Sequence, residues 1–338
     1  MKPVVFFFSL SIICGVVADG LERADVMGHQ VAPILREGAQ EEPLPAPETT
    51  NGWTALGPFG GDAQNVAVSV VNADIAFVGI APEGSSGGTL YRSVDGGATW
   101  VEVPGLNAGS TFDIEFAPDG TVFIGTDSGV WMSGDDGLNW TQLDIGLTVN
   151  MATLDVFIDP NNSATIWAGI SDHGGFQDQV LHKSVDGGVT WGNVTPPLAV
   201  SMACRGIAVN PADSNSVFAV FAGAFGGGEV WFSENGGSSW LNRSSGLPGN
   251  PLNAVVHDGT RILVGGGLLF GGQEVGIYAS ADNGLNWSPL HEPEWPIKIV
   301  NDIELAPGDP TTILVGTAGS GVHLSTDGGA TWTLSLNG

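Results

Sequence analysis

One eight-residue phrase, written six times, constrains this chain more than anything else in it. It reads SVDGGATW at 93–100, SGDDGLNW at 133–140, SVDGGVTW at 184–191, SENGGSSW at 233–240, SADNGLNW at 280–287 and STDGGATW at 325–332. The closing tryptophans are 40, 51, 49, 47 and 45 residues apart. A fixed phrase recurring at a period in the forties is the signature of a repeat architecture.

Each unit around the phrase follows one plan. An apolar run comes first (66–71, 112–116, 154–158, 207–209, 254–256 and 303–305) and a turn follows it. A second apolar run, a third strand leading into the octet and a fourth leaving it complete the unit. Four short strands separated by turn residues predict an antiparallel meander. One such sheet has two apolar faces and buries neither alone. Stacking the sheets around an axis covers both and leaves only short edges. The expected fold is therefore all-β, a six-bladed β-propeller of four-stranded antiparallel blades. Residues 52–56 resemble a fourth strand standing before the first unit; they would close the ring in the last blade or be the remnant of a seventh.

Within the octet, the aspartate can accept main-chain N–H groups of its own turn. The fifth-position glycine permits positive φ, and the hydroxyls tie the loop to itself. The tryptophan supplies a large ring for burial between sheets. The octets resemble the Asp box, or bacterial neuraminidase repeat. Propellers carrying it include sialidases, xyloglucan-degrading hydrolases, sortilin-type receptors and photosystem II assembly factors. The resemblance spans residues 53–336 and implies that the box is a structural fastener. The expected structural set is Ser93, Asp95, Gly97, Trp100, Asp135, Trp140, Asp186, Trp191, Asn235, Trp240, Asp282, Trp287, Asp327 and Trp332. Asn235 replaces the aspartate in the fourth copy, and Asn139 and Asn286 replace the threonine in two others; these swaps keep hydrogen bonding without charge.

Composition narrows the partners. With 36 acidic and 9 basic residues the formal charge is −27, which repels phosphate backbones and anionic headgroups, so nucleic acid is not expected. Residues 1–18 read as a secretory signal: Lys2, an apolar stretch over 4–17, and small residues before Asp19. Residues 19–52 read as a Pro- and Glu-rich linker and 53–338 as the propeller. The expectation is a secreted or periplasmic protein, with lipid anchoring at Cys14 as the alternative. It is expected to be monomeric, with no stable membrane insertion after cleavage. Only Cys204 then remains, so no intrachain disulfide is expected.

In a four-strand meander the octets share a face with the first-to-second turns. The second-to-third turns and the blade connectors emerge on the opposite face. Those second-to-third segments are long at 80–89, 170–180, 221–229 and 266–276, and long loops on a rigid scaffold collect binding residues. They bring in Asp172, His173, Phe176, Phe225 and Phe270. The connector 291–296 adds Trp295, which would stack on a sugar or anchor a peptide, or else cap a blade.

Aligning the inner strands on their turns places Asp113, Asp155, Asn253 and Asp302 at equivalent positions. Gly206 stands there in the fourth blade, with Arg205 just before it, and Glu115 and Glu304 follow two residues on. No cofactor is expected, with Ca²⁺ on Asp113, Asp155 and Asp302 as the candidate ion; the competing reading is a water-filled polar channel. A sialidase is not expected, because the arginine clamp is missing: the first inner strand reads NVAV at 65–68. The xyloglucan hydrolases set paired acids between two propellers facing each other, and one propeller supplies no such cleft. The reading is a non-catalytic scaffold that binds a protein or a glycan on the face opposite the octets. The alternative is a glycoside hydrolase with a carboxylate pair among Asp113, Asp155 and Asp302.

Overall fold

The computed structural model describes residues 62–81, 88–146, 151–172, 179–198, 200–223, 226–268, 273–291, 295, 298–318 and 320–335. His173, Phe176, Phe225 and Phe270 lie outside these, as do the leader, the linker and residues 52–56. Of Asp172 only the main chain is described.

The described residues form six four-stranded antiparallel sheets, each with its strands in chain order, and no helix. The inner strands are Asp62–Val68, Thr111–Phe116, Met151–Ile158, Ala203–Asn210, Leu252–His257 and Val300–Ala306. They start earlier than the apolar runs of the sequence. In the first blade the strand stops at Val68, and Val70 and Val71 stand exposed in the turn beyond it. The sixth blade is completed by its own fourth strand, Thr333–Ser335.

Apolar clusters join the blades in series. Phe77 and Leu90 of the first blade pack on Ile114, Phe116, Val122 and Ile124 of the second. Trp167 and Leu181 of the third meet Ile207, Val217 and Ala219 of the fourth. Outermost strands are only two or three residues long, so little edge is left for another chain to pair with.

The octets hold themselves and their neighbours. In the third copy the Ser184 hydroxyl donates to Asp186 Oδ1 (2.8 Å) and accepts from Gly188 N (2.9 Å). Asp186 in turn accepts Thr190 N at 2.8 Å and Thr190 Oγ1 at 2.6 Å. The substituted copies keep the same bonds: Asn139 and Asn286 donate through Nδ2 to Asp135 and Asp282 at 2.6 and 2.7 Å, and Asn235 donates to Ser239 Oγ at 2.8 Å. Four octets also bond back near the first-to-second turn of their own blade: Gly96 N to Asp74 O, Gly187 N to Ala164 O, Gly236 N to Asn215 O and Gly328 N to Thr311 O, at 2.8–3.0 Å. Those contacts put octet and turn on one face.

Between blades the octet works in both directions. A basic side chain of one blade donates to the fourth-position carbonyl of the next blade's octet: Arg92 to Asp136 O, Lys183 to Gly236 O, Arg243 to Asn283 O and Arg261 to Gly328 O. Those four carbonyls belong to residues in the left-handed region, which turns them outward. Trp240, Trp287 and Trp332 donate backwards through Nε1 to Val194 O, Arg243 O and Leu290 O of the preceding blade. Arg92 is therefore a fastener on the octet face.

Candidate functional site at the channel mouth

All six inner strands carry a β-bulge at corresponding points, near the end of the channel away from the octets. A bulge inserts one residue and re-aims the side chains around it. The residues after the bulges are Asn65, Asp113, Asp155, Gly206, Ala254 and Asp302, and each pairs with the next strand's Gly79, Gly125, Gly169, Val220, Gly265 or Gly316. Glycine on the second strand makes room for the following blade. A Cβ on Gly125 would lie 2.8 Å from Thr153 O, and one on Gly265 would lie 2.5 Å from Val300 Cγ1. The fourth blade reverses the arrangement, with the glycine (Gly206) inside and Val220 outside.

This register corrects the sequence alignment at two points. Asn253 is the bulged residue of its strand, equivalent to Arg205; the position of Asp113 is filled by Ala254. The first blade contributes Asn65, which was missed because its strand continues past the bulge into an apolar run that aligned on the wrong turn. The glycine facing it, Gly79, was the available signal.

Asp113, Asp155, Arg205, Asn253 and Asp302 nevertheless meet, lining one cavity of about 60 Å³ together with Leu154 and Asn301. That is room for a few water molecules. The polar ring laces an inner strand to the next at four seams. Asn65 Nδ2 donates to Thr111 O (2.5 Å), Asp113 Oδ2 accepts from Val156 N (2.7 Å), and Asn253 Nδ2 donates to Val300 O (3.0 Å) and to Gly267 O (3.0 Å). Asp155 accepts from the Ile207 main chain, and Asp302 Oδ1 from Ile303 N at 2.9 Å. Asp155 Oδ2, Asp302 Oδ2, Asn65 Oδ1, Asn253 Oδ1 and Arg205 Nε are left buried without a partner.

The carboxylates are costly to ionise here. They keep some surface open to the channel, yet protein surrounds them. Burial pushes Asp113 up to about 6, less than it would without the Val156 and Ile114 amides. Glu115 rises to about 8, from burial first and the Asp113 charge second; Glu304 rises to about 8 from burial and then Glu115. Asp155 and Asp302 stand well above the ordinary carboxylate range, again from burial first, with Asp113 next for Asp155 and Glu304 next for Asp302. Five acids from blades two, three and six thus repel one another through a single channel.

Among the described residues no three His, Cys, Asp or Glu side chains are placed to hold a metal ion. Asp113, Asp155 and Asp302 each spend an oxygen on a main-chain N–H, and Arg205 enters the same ring. Of the two readings of Trp295, the structure has the cap. It is 4% exposed, stacked on His323 (3.9 Å between centroids, 22° between planes) and edge-on to Trp332 (5.3 Å, 83°). Its ring caps the core between the fifth and sixth blades, where apolar burial outweighs the prolines that suggested an exposed loop. Cys204 is fully buried, its thiol pushed up by burial and by Asp155, which makes it inert.

No family model matches the chain. Among curated proteins, a segment of 136 residues is 24% identical to Xyloglucanase Xgh74A of Acetivibrio thermocellus, covering 31% of this chain and 16% of that protein. A segment of 133 residues is 27% identical to a xyloglucanase of Paenibacillus sp, covering 34% and 12%. The chain thus matches less than a fifth of the length of these relatives. Among solved structures, the GH74 xyloglucanase from Xanthomonas campestris superposes with a TM-score of 0.59 at 19% identity, over 81% of this chain and 47% of that one. YCF48 bound to D1 peptide superposes with a TM-score of 0.54 at 17% identity, over 82% of each chain. These are β-propellers, consistent with an Asp-box-like propeller, and at such identities the likeness carries the fold alone.

Proposed function

We propose that this is an exported, non-catalytic β-propeller that binds its ligand, a protein or a glycan, at the channel mouth and the loop face around it. The observation that carries the reading is the use made of the three aspartates. Each accepts a main-chain N–H, from the next blade for Asp113 and Asp155 and from its own strand for Asp302. The cavity they line has about 60 Å³ of room, whereas a glycosidase must hold a sugar ring between two carboxyl groups. A solved relative in fold is described as bound to a peptide, in keeping with a binding role for such a scaffold.

The test is a glycan and peptide array probed with the native protein and with two variants. Arg205→Gln alters the mouth, and Asp327→Asn alters an octet on the far face. The reading expects bound spots that vanish with Arg205→Gln and persist with Asp327→Asn. Spots unaffected by Arg205→Gln overturn it.

A second reading, glycoside hydrolase, is favoured by one observation: both curated relatives above are xyloglucanases over the segments they share with this chain. It requires a substrate-wide opening around Asp113, Asp155 and Asp302.

A further inference from the structure

Unpartnered acceptors outnumber unpartnered donors at the channel mouth, where Arg205 Nε is the one orphan donor among the described cavity residues. Asp155 Oδ2, Asp302 Oδ2 and Asn253 Oδ1 are buried acceptors without a partner, and all three residues line the same cavity. Asn253 is the informative one, because it carries no charge and is only 8% exposed. Its Nδ2 is fixed by the carbonyls of Gly267 and Val300, each at 3.0 Å, which leaves Oδ1, at the other end of the amide, for the cavity. A buried acceptor with no donor costs about 1–3 kcal/mol, so three around one cavity of about 60 Å³ mark a place built for a donor-rich group.

We propose that the mouth of the channel binds a primary ammonium group, whose three N–H donors are met by Asp155 Oδ2, Asp302 Oδ2 and Asn253 Oδ1. The match is one of count and kind. An alkylammonium has three donors, no acceptor and a compact charged head; water has two donors, and a guanidinium is a broad planar fork. A hard cation such as Ca²⁺ is the poorer fit, since it takes about six to eight oxygen ligands and three orphan acceptors line the cavity. Arg205, on the neighbouring inner strand, lines the same cavity and brings one orphan donor, its Nε, to the three acceptors. The net charge of −27 draws cations towards the protein. The same head group arrives on a lysine side chain of a protein or on a free alkylamine.

This rests on the binding reading of the mouth and names the chemistry that the mouth takes. The experiment is calorimetric titration of the whole protein at pH 8 with n-butylammonium chloride. n-Butyltrimethylammonium, which keeps the charge but has no N–H, is the control. Saturable binding of one n-butylammonium per chain is expected, weakened on the order of tenfold or more for the trimethyl control. Asp302→Asn is expected to weaken it similarly, and Glu102→Gln, on an outer strand, to leave it unchanged. Equal binding of both amines, or none of either, overturns the inference whether or not the variant folds, because that comparison is made on the native protein. A blocked pentapeptide with one central lysine and putrescine then separate the sources: the tighter of the two, lost with Asp302→Asn, identifies protein or free amine. If neither amine binds while array spots still depend on Arg205, the ammonium inference fails and the binding reading stands.

Discussion

Lys183 of the third blade donates to the carbonyl of Gly236 in the fourth blade's octet at 2.8 Å, with its ammonium 4.7 Å from the centroid of Trp167. One side chain thus ties the octet of one blade to the core of the blade before it. Arg92, Arg243 and Arg261 repeat the bond at other seams, so four of the nine basic residues of this acidic chain serve as clasps. Lys183→Met keeps the aliphatic stem and removes the donor; it is expected to lower stability by about 1–2 kcal/mol in urea unfolding. An unchanged midpoint contradicts the clasp.

The octet aspartates ionise unusually easily. Asp135, Asp186, Asp282 and Asp327 are held down to about 2, first by the side-chain bond from the seventh residue of their octet. A carboxyl whose folded pKa is depressed stabilises the fold above its unfolded value and loses that contribution as pH falls through the folded one. Asp186→Ala is therefore expected to lower the melting temperature at neutral pH and to do so much less near pH 2. Asp186→Asn, copying the natural Asn235, is expected to cost less than the alanine. Thermal melts at the two pH values decide the matter.

The channel acids have the opposite sign. Asp113 at about 6, and Glu115 and Glu304 at about 8, hold protons in the fold that the unfolded chain releases near pH 4. Their contribution is fully present below that value and declines as pH rises through 6 to 8. Melting temperature is expected to peak in mild acid and to fall towards pH 8, and Glu304→Gln is expected to flatten the fall. A melting profile that rises from pH 5 to pH 8 contradicts this.

Blade spacing depends on the inner glycines. Gly265→Ala puts a methyl 2.5 Å from Val300 Cγ1 and is expected to cost about 1–3 kcal/mol by overpacking. Gly134→Ala, with nothing within 4 Å and no positive φ, is expected to be neutral or to add up to about 1 kcal/mol. Urea unfolding of the pair separates a packing requirement from ordinary glycine flexibility.

Trp295→Ala tests the capping role of that ring. With its side chain buried against His323 and Trp332, truncation is expected to destabilise by about 3–5 kcal/mol. A ligand-stacking residue would instead leave the melting temperature unchanged.

The fold was legible because the octet recurs: its turn chemistry is local, and a repeated local rule fixes blade number and face. Asp113, Asp155 and Asp302 were legible because strand alternation can be counted from a turn. Asn65 was not, and Asn253 was found one position out of register, since a bulge adds one residue and shifts the count, and nothing in a single strand announces it. Trp295 was left between two roles because prolines mark a connector but do not say whether a ring within it folds back onto the core. The clasps of Arg92 and Lys183 were invisible for a related reason: they join residues 44 and 53 apart, and only the assembled ring brings them together.

The account stands on the channel mouth being a binding site rather than a catalytic one, and reducing-end release from xyloglucan and other β-glucans by the purified protein tests this most directly. No release above buffer is expected at any pH from 4 to 8, with native protein and Asp155→Asn indistinguishable. Release by the native protein that Asp155→Asn abolishes while still folded would contradict it.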